Sequence, residues 1–294
     1  MTKQRDVSVK EVRAAGNEAL LLATELLQRA RRADPRAGVW EAADVQWWWR
    51  KPRRSDEVDK LFWVDDEGPV AGVLLTSEPD DTWQCDPVLV PGASGPEPEV
   101  VWRGALKLAA KHAAQRFEVP VSDDDRVFRE LAQGSGLTAG QHDSTGWMDA
   151  ADRPSVLGDP EGFLVVDRAQ RRDTPHPMRH RNGEAVAQRL EQCPLYDPAL
   201  DLAVETAEGR EAGYSLYWFD PTTKVGLVEP VRVVEEFHRQ GLARAMLTAG
   251  IDRLVKRGAQ RVKISYESEA AGALYQSVGF RKQSTATWYR APAG

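Results

Sequence analysis

The sequence predicts an α/β (α+β) protein made of two tandem halves that share one plan, and three observations point there. The chain has 294 residues, a length that suits two ordinary domains better than one. Strand-type alternation and helix-type periodicity follow one another in both halves. Short stretches of the first half also recur, in the same order, in the second.

The recurrences begin with GPVAGVLLTSEPDDTWQCDPVLV (Gly68 to Val90) and GREAGYSLYWFDPTTKVGLVEPVRV (Gly209 to Val233). Each reads as a strand, a polar turn and a strand that ends in acid-Pro-Val, so Asp86-Pro87-Val88 answers Glu229-Pro230-Val231. Further on, SGLTAGQHDSTGWMDA (Ser135 to Ala150) resembles VGFRKQSTATWYRA (Val278 to Ala291). Each half opens on a strand and helices, VSVKEV with EALLLATELLQRA in one, GFLVVD with EAVAQRL in the other. The boundary is expected in ADRPSVLGDP (Ala151 to Pro160), which is rich in Pro and Asp and lacks periodicity. The expected domains are therefore 1–150 and 151–294.

The richest stretch is VGLVEPVRVVEEFHRQGLAR (Val225 to Arg244), an apolar strand that runs through a loop into a helix opening near Gly241. The first amides of a helix have no partners within it, and its dipole is positive at that end. Gly241 and Ala243 add no bulk, and His238, Arg239 and Arg244 stand beside them, which suits a pyrophosphate. From there Arg244, Thr248, Asp252 and Lys256 form a polar line, opposite Leu242, Met246, Leu247, Ile251 and Leu254. Gly258 stops this helix, and RVKISY (Arg261 to Tyr266) alternates like a strand. Ser268 is the N-cap expected for a helix that Gly279 ends, and STATWYRA reads as the last strand.

HRQGLA (His238 to Ala243) and ALYQSVGF (Ala273 to Phe280), at this spacing and with these elements between them, resemble the two signatures of the GNAT superfamily of acetyl-CoA-dependent N-acetyltransferases. The resemblance covers about Val225 to Tyr289. It departs from the family pattern at His238, usually Gln or Arg, and at Ser268, often Asn. A tandem arrangement of this length is similar to that of the two-domain members, mycothiol synthases among them. The resemblance implies that each half is a mixed, mostly antiparallel sheet flanked by helices. It implies acetyl-CoA as co-substrate, with pantetheine against the backbone of Val231 and Val233 and pyrophosphate against Arg239, Gln240, Gly241, Leu242, Ala243 and Arg244. His238 and Ser268 complete the expected cofactor-binding set.

An alkylammonium has a pKa of about 10.4, so freeing its lone pair at pH 7 costs about 4.6 kcal/mol, and a base or water relay must take that proton. Glu229 is the candidate base, in line with Val231 and Val233 if alternation is regular, which the bulge or unpaired edge implied by Pro230 would break; its other reading is a carboxylate paired within the strand layer. The resemblance makes Tyr275 the general acid for the leaving thiolate; its other reading is a core tyrosine. Ser268 caps its helix or bonds the ligand.

The first half carries no such loop. Its corresponding helix start, in PGASGPEPEVVWRGALKLAAKHA, has Glu97 and Glu99, carboxylates that suit a helix dipole and repel a phosphate. Residues 1–150 are thus expected to be a degenerate copy that borders an acceptor pocket or only supports its neighbour.

Net charge is −6, which argues against a general nucleic-acid binder. The polar N-terminus MTKQRDVSVKEV has no leader-type core, no apolar run reaches the roughly 20 residues of a membrane helix, and Cys85 and Cys193 fall in different halves, so a cytoplasmic protein is expected. Trp47, Trp48 and Trp49 cannot all face one way on a helix, and Trp218 and Trp288 read as core before they read as a pocket border. PHPMRHR (Pro175 to Arg181) reads as a solvated loop; no metal site is expected. The expected activity is acetyl transfer to a primary amine, on a small molecule or alternatively on a protein N-terminus or lysine. The competing class is a CoA-binding sensor without turnover. The oligomeric state is open, a homodimer included.

Overall fold

The computed structural model describes residues 8–112 and 116–291. Residues 1–7, which hold most of MTKQRDVSVKEV, together with 113–115 and 292–294, lie outside the described residues.

In chain order the elements are β1 (Lys10–Ala14), α1 (Gly16–Ala33), α2 (Ala42–Trp49), β2 (Lys60–Asp65), β3 (Gly68–Ser77), β4 (Trp83–Leu89), α3 (Pro98–His112), β5 (Phe117–Ser122), α4 (Arg126–Gly134) and β6 (Thr138–Asp149). There follow β7 (Phe163–Asp167), α5 (Arg179–Asn182), α6 (Val186–Glu191), β8 (Asp201–Thr206), β9 (Glu211–Asp220), β10 (Val225–Val233), α7 (Leu242–Lys256), β11 (Arg261–Tyr266), α8 (Glu269–Ser277) and β12 (Arg281–Arg290). Among the described residues no helix is long and apolar enough to cross a membrane.

The chain forms two compact units, and they are not two consecutive halves. Unit 1 comprises residues 1–45, 52–142 and 284–294; unit 2 comprises 46–51 and 143–283. A single cut at 150/151 therefore misplaces three segments, one of them 143–150, which belongs to unit 2. The C-terminal end of β12 joins unit 1, where it pairs antiparallel with β5 from Ala286↔Ser122 to Arg290↔Glu118. Residues 46–51, which hold the three tryptophans, join unit 2.

In unit 1, β1 to β4 form an antiparallel meander, and β4 meets β5 in parallel. Helices α3 and α4 cover one face through Trp102, Ala105, Leu108 and Phe128, which close over Val73, Leu75 and Val119. In unit 2 the strand order is β6-β11-β10-β9-β8-β7, with β10 and β11 parallel and the other pairs antiparallel. Both units are thus mixed, mostly antiparallel sheets flanked by helices, as the sequence implies.

Helix α7 lies close on β9 because Gly250 has no side chain. A Cβ there would stand 2.1 Å from the Tyr217 ring, whose hydroxyl donates to the Met246 carbonyl at 2.8 Å. Leu247, Ile251 and Leu254 then bury against Val228, Val262 and Ile264. The polar line expected along α7 is only partly solvated. Arg244 and Lys256 are exposed, but Thr248 is buried, because its hydroxyl accepts from the Leu157 amide at 3.2 Å. The boundary segment therefore lies over that face of the helix.

The tryptophan run finds its partners within unit 2, and one loop expectation changes. Trp47 is buried with the Arg50 guanidinium 3.5 Å from its ring centroid; Trp49 lies beneath Arg189 at 3.6 Å and donates to Gln192 at 2.8 Å. The PHPMRHR stretch is not simply solvated. His176 is buried, with Nε2 2.9 Å from Asp201, which also accepts from the Tyr196 hydroxyl at 2.8 Å. Among the described residues no cluster of three His, Cys, Asp or Glu side chains suits a metal ion.

Candidate active site

The site in unit 2 begins where two parallel strands part. β10 pairs with β11 from Val225↔Arg261 to Val228↔Ile264 and no further. β11 continues along β6 through Tyr266, while β10 continues along β9 through Val233. Beyond Val228 the β10 edge that faced β11 has lost its strand partner, leaving main-chain groups that an extended ligand can pair with. Pro230, which has no N–H, sits at the divergence, preceded by a cis peptide bond.

The register of β10 on β9 also shifts between Val228 and Val231, so two residues, Glu229 and Pro230, oppose the single Leu216. The bulge breaks the alternation that would have set Glu229 on one face with Val231 and Val233. Those two valines pack towards α7, with Leu242 and Met246. The Glu229 carbonyl accepts from the Trp218 indole at 3.1 Å. Trp218 itself is fully buried, so it is core, as its first reading had it.

At the end of β10 the chain makes one short 3₁₀ turn and enters α7 through Gly241, the N-cap, in the left-handed region (φ 79°). Arg239 is left-handed as well (φ 63°). The first helical bond recorded here runs from the Ala245 amide to the Gly241 carbonyl. The amides from Arg239 to Arg244 donate to no backbone carbonyl among the described residues. A Cβ at Gly241 would meet nothing within 4 Å, so the space beside Gly241 is open. Exposed Arg239 and Arg244 flank them. Unpaired donors, open space and flanking cations fit a diphosphate.

His238 and Ser268 stand differently from the other expected ligand contacts. The His238 Nε2 lies 3.1 Å from the Val233 carbonyl, so the ring is folded back onto the strand end, and only an Nε2–H can make that bond. The Ser268 hydroxyl accepts from the Ala271 amide at 3.2 Å as the N-cap of α8.

Tyr275, on α8, meets Tyr266 and Phe280 edge to face, with centroids 5.7 and 6.3 Å away. Its hydroxyl has no hydrogen-bond partner among the described residues. Burial pushes its pKa up to about 12, the nearby Glu229 carboxylate adds to the rise, and Arg232 opposes it. The fold therefore brings Glu229 and Tyr275 into electrostatic reach across the parted strands. It adds Arg232, which sequence reasoning passed over although alternation sets it opposite Val231 and Val233.

The comparisons with known proteins bear on this geometry. The profile described as "Acetyltransferase (GNAT) family" matches residues 164–280. A mycothiol acetyltransferase of Clavibacter sepedonicus is 33% identical, over 80% of this chain and 85% of that protein. The chain belongs to the GNAT family. It is an acyl-CoA-dependent N-acetyltransferase. A second mycothiol acetyltransferase, from Clavibacter michiganensis subsp. michiganensis, is 34% identical over 99 residues, 33% of this chain and 32% of that relative. Among solved structures, a tandem GNAT protein from the clavulanic acid biosynthesis pathway is similar in fold, with TM-score 0.68 and 16% identity over 98% of this chain and 100% of that one. A GCN5-related N-acetyltransferase from Sphaerobacter thermophilus has TM-score 0.60 and 15% identity over 95% of each chain. This GNAT chain is thus of the tandem type.

Proposed function

We propose that unit 2 transfers the acetyl group of acetyl-CoA to a primary amine on a small molecule. The observation that carries this reading is the parting of β10 and β11 immediately ahead of an open, unpaired helix start. The main chain of Val231 and Val233 would hold pantetheine, and the amides from Arg239 to Arg244 the diphosphate. Acetyl-CoA supplies an activated acyl carbon. His238 acts through its bond to the strand end, and Ser268 through its cap. The names of the relatives, mycothiol acetyltransferases, support a small-molecule acceptor over a protein.

The chemistry of the chain's own residues is proton handling. An acceptor ammonium must lose a proton, and Glu229, on the bulge at the mouth of the cleft, takes it directly or through water. Tyr275 keeps its proton throughout the neutral range, because burial and the Glu229 charge oppose the phenolate. A phenol of pKa about 12 does not transfer its proton readily to a thiolate of about 8.5; it stabilises the leaving sulfur by holding a hydrogen bond to it.

Steady-state kinetics with acetyl-CoA and a panel of small primary amines, following free thiol, tests this proposal. Turnover with at least one amine is expected, with a rate that rises as the amine deprotonates. Turnover only with peptide acceptors would remove the small-molecule reading.

A further inference from the structure

Unit 1 contains a cavity of about 230 Å³ that the reaction of unit 2 does not use. It lies where β4 and β5 part. These strands pair only at Trp83↔Phe117 and Gln84↔Glu118, and from Cys85 onward β4 continues along β3 alone. The walls are largely apolar, with Leu27, Val39, Trp40, Pro87, Pro120 and Phe128 among them. Its volume is below the roughly 300–1,000 Å³ of sites for drug-sized ligands, so its occupant is smaller.

The surroundings differ from the unit 2 cleft in ways that exclude an acyl-CoA. Helix α3 begins at Pro98, which has no amide to offer, and Glu97 and Glu99 flank that start. In unit 2 the Phe280 amide bonds back to the Tyr275 carbonyl; in unit 1 the Leu137 amide bonds back to the Ala132 carbonyl, so Ala132 stands where the phenol would be. The diphosphate cradle and the proton donor are both missing. What remains is the acid: Asp86, in the place of Glu229, lies in the cavity wall and is 2% exposed.

Asp86 is short of one positive charge. Its oxygens accept from the Trp40 indole at 2.7 Å and from the Gln84 amide at 3.0 and 2.9 Å, all neutral donors. No Lys, Arg or His pairs with it among the described residues. Arg31, also in the wall, is committed to Glu41 at 2.6 and 3.0 Å and to the Pro35 carbonyl. Burial, eased by Gln84 and Trp40 and aggravated by Asp44, pushes the Asp86 carboxyl up to about 7. A buried carboxylate without a counter-charge is costly, and a cation that enters an apolar cavity beside it relieves the cost of both.

We propose that this cavity is a binding site for a small organic ammonium ion, a primary amine with a compact apolar body, whose charged end pairs with Asp86. With neither a diphosphate cradle nor a phenol, unit 1 holds the amine without acylating it. This assignment is independent of which amine unit 2 acetylates.

Calorimetry on the full chain without acyl-CoA tests it, with 2-phenylethylammonium as the probe and 2-phenylethanol and 3-phenylpropanoate as controls. The ammonium is expected to bind, the alcohol at least about tenfold more weakly, and the carboxylate not at all. Asp86→Asn should weaken the ammonium at least about tenfold, and Glu229→Gln should leave this binding unchanged. Ala37→Trp, on the half-exposed loop at the cavity wall, blocks the space without touching the core and should abolish binding while the circular dichroism stays that of the wild type. It decides the matter if the Asp86 variant does not fold. Absence of ammonium binding, equal binding of the alcohol, or loss in Glu229→Gln with retention in Ala37→Trp would each overturn the assignment.

Discussion

The two units open the same kind of cleft and furnish it differently. In unit 2 the strands part after Val228, and the next helix start offers bare amides around a left-handed Gly241. In unit 1 they part after Gln84, and the next helix start offers Pro98 between two glutamates. Tyr275 lies within electrostatic reach of Glu229 in one unit; Ala132 takes the tyrosine's place in the other. The parting of the strands is thus a property of the repeated backbone plan. In the proposed reading a few positions at the rim decide ligand class, and an acid-Pro-Val strand end by itself says only that a cleft exists.

The sharpest way to break this contrast is to give unit 2 the rim of unit 1. Gly241→Glu puts a side chain on a left-handed residue and a carboxylate among the amides, and should weaken acetyl-CoA binding by about a thousandfold in equilibrium titration. Retained affinity would mean that the diphosphate sits elsewhere. Tyr275→Phe copies the loss of the phenol; kcat should fall about a hundredfold with little change in acetyl-CoA affinity. The wild-type rate should show no alkaline limb from this residue below pH 10, since its phenol is pushed up to about 12. An unchanged kcat in the variant would return Tyr275 to the core.

A smaller effect sharpens the other side of the comparison. Asp86 holds its proton more tightly folded, near 7, than unfolded, near 3.9, so its contribution favours the native state fully below pH 4 and is lost as the pH rises through 7. Between pH 5 and 8, chemical denaturation should show the wild type losing about 3 kcal/mol relative to Asp86→Asn. Parallel stability profiles would show that Asp86 is ionised at all these pH values. The smallest effect belongs to His238→Ala. Because the ring is spent on the Val233 carbonyl, acetyl-CoA affinity should change by less than about threefold. A tenfold loss would place the imidazole on the ligand.

Much of unit 2 was legible because each signal is local. Gly258 and Gly279 close α7 and α8 where expected, Ser268 caps α8, and RVKISY is β11 from its first to its last residue. Tyr275 was nameable from the ALYQSVGF signature, and Glu229 as the acid of the strand that runs into the loop. Arg232 was passed over because nothing marks a strand arginine as lying within electrostatic reach of a phenol on a helix more than 40 residues later. The burial of Thr248 on that polar line was not legible, because helical periodicity reports which face is polar and not what lies on it. The tryptophan run said only that its rings face different ways, since a helix of three consecutive aromatics offers large faces without saying which partner will cover them.

The sequence alone determined the class of protein, the repeated plan and the helix start with open amides, because periodicity, helix stops and glycine at a left-handed N-cap are written in neighbouring residues. Only the tertiary structure decided that β12 completes the sheet of unit 1 while residues 46–51 serve unit 2, that a bulge turns Glu229 out of line with Val231 and Val233, and that Asp86 is buried without a counter-charge. Those outcomes depend on which strand edges meet and which carboxylate loses its water, and both are set by residues far apart in the chain.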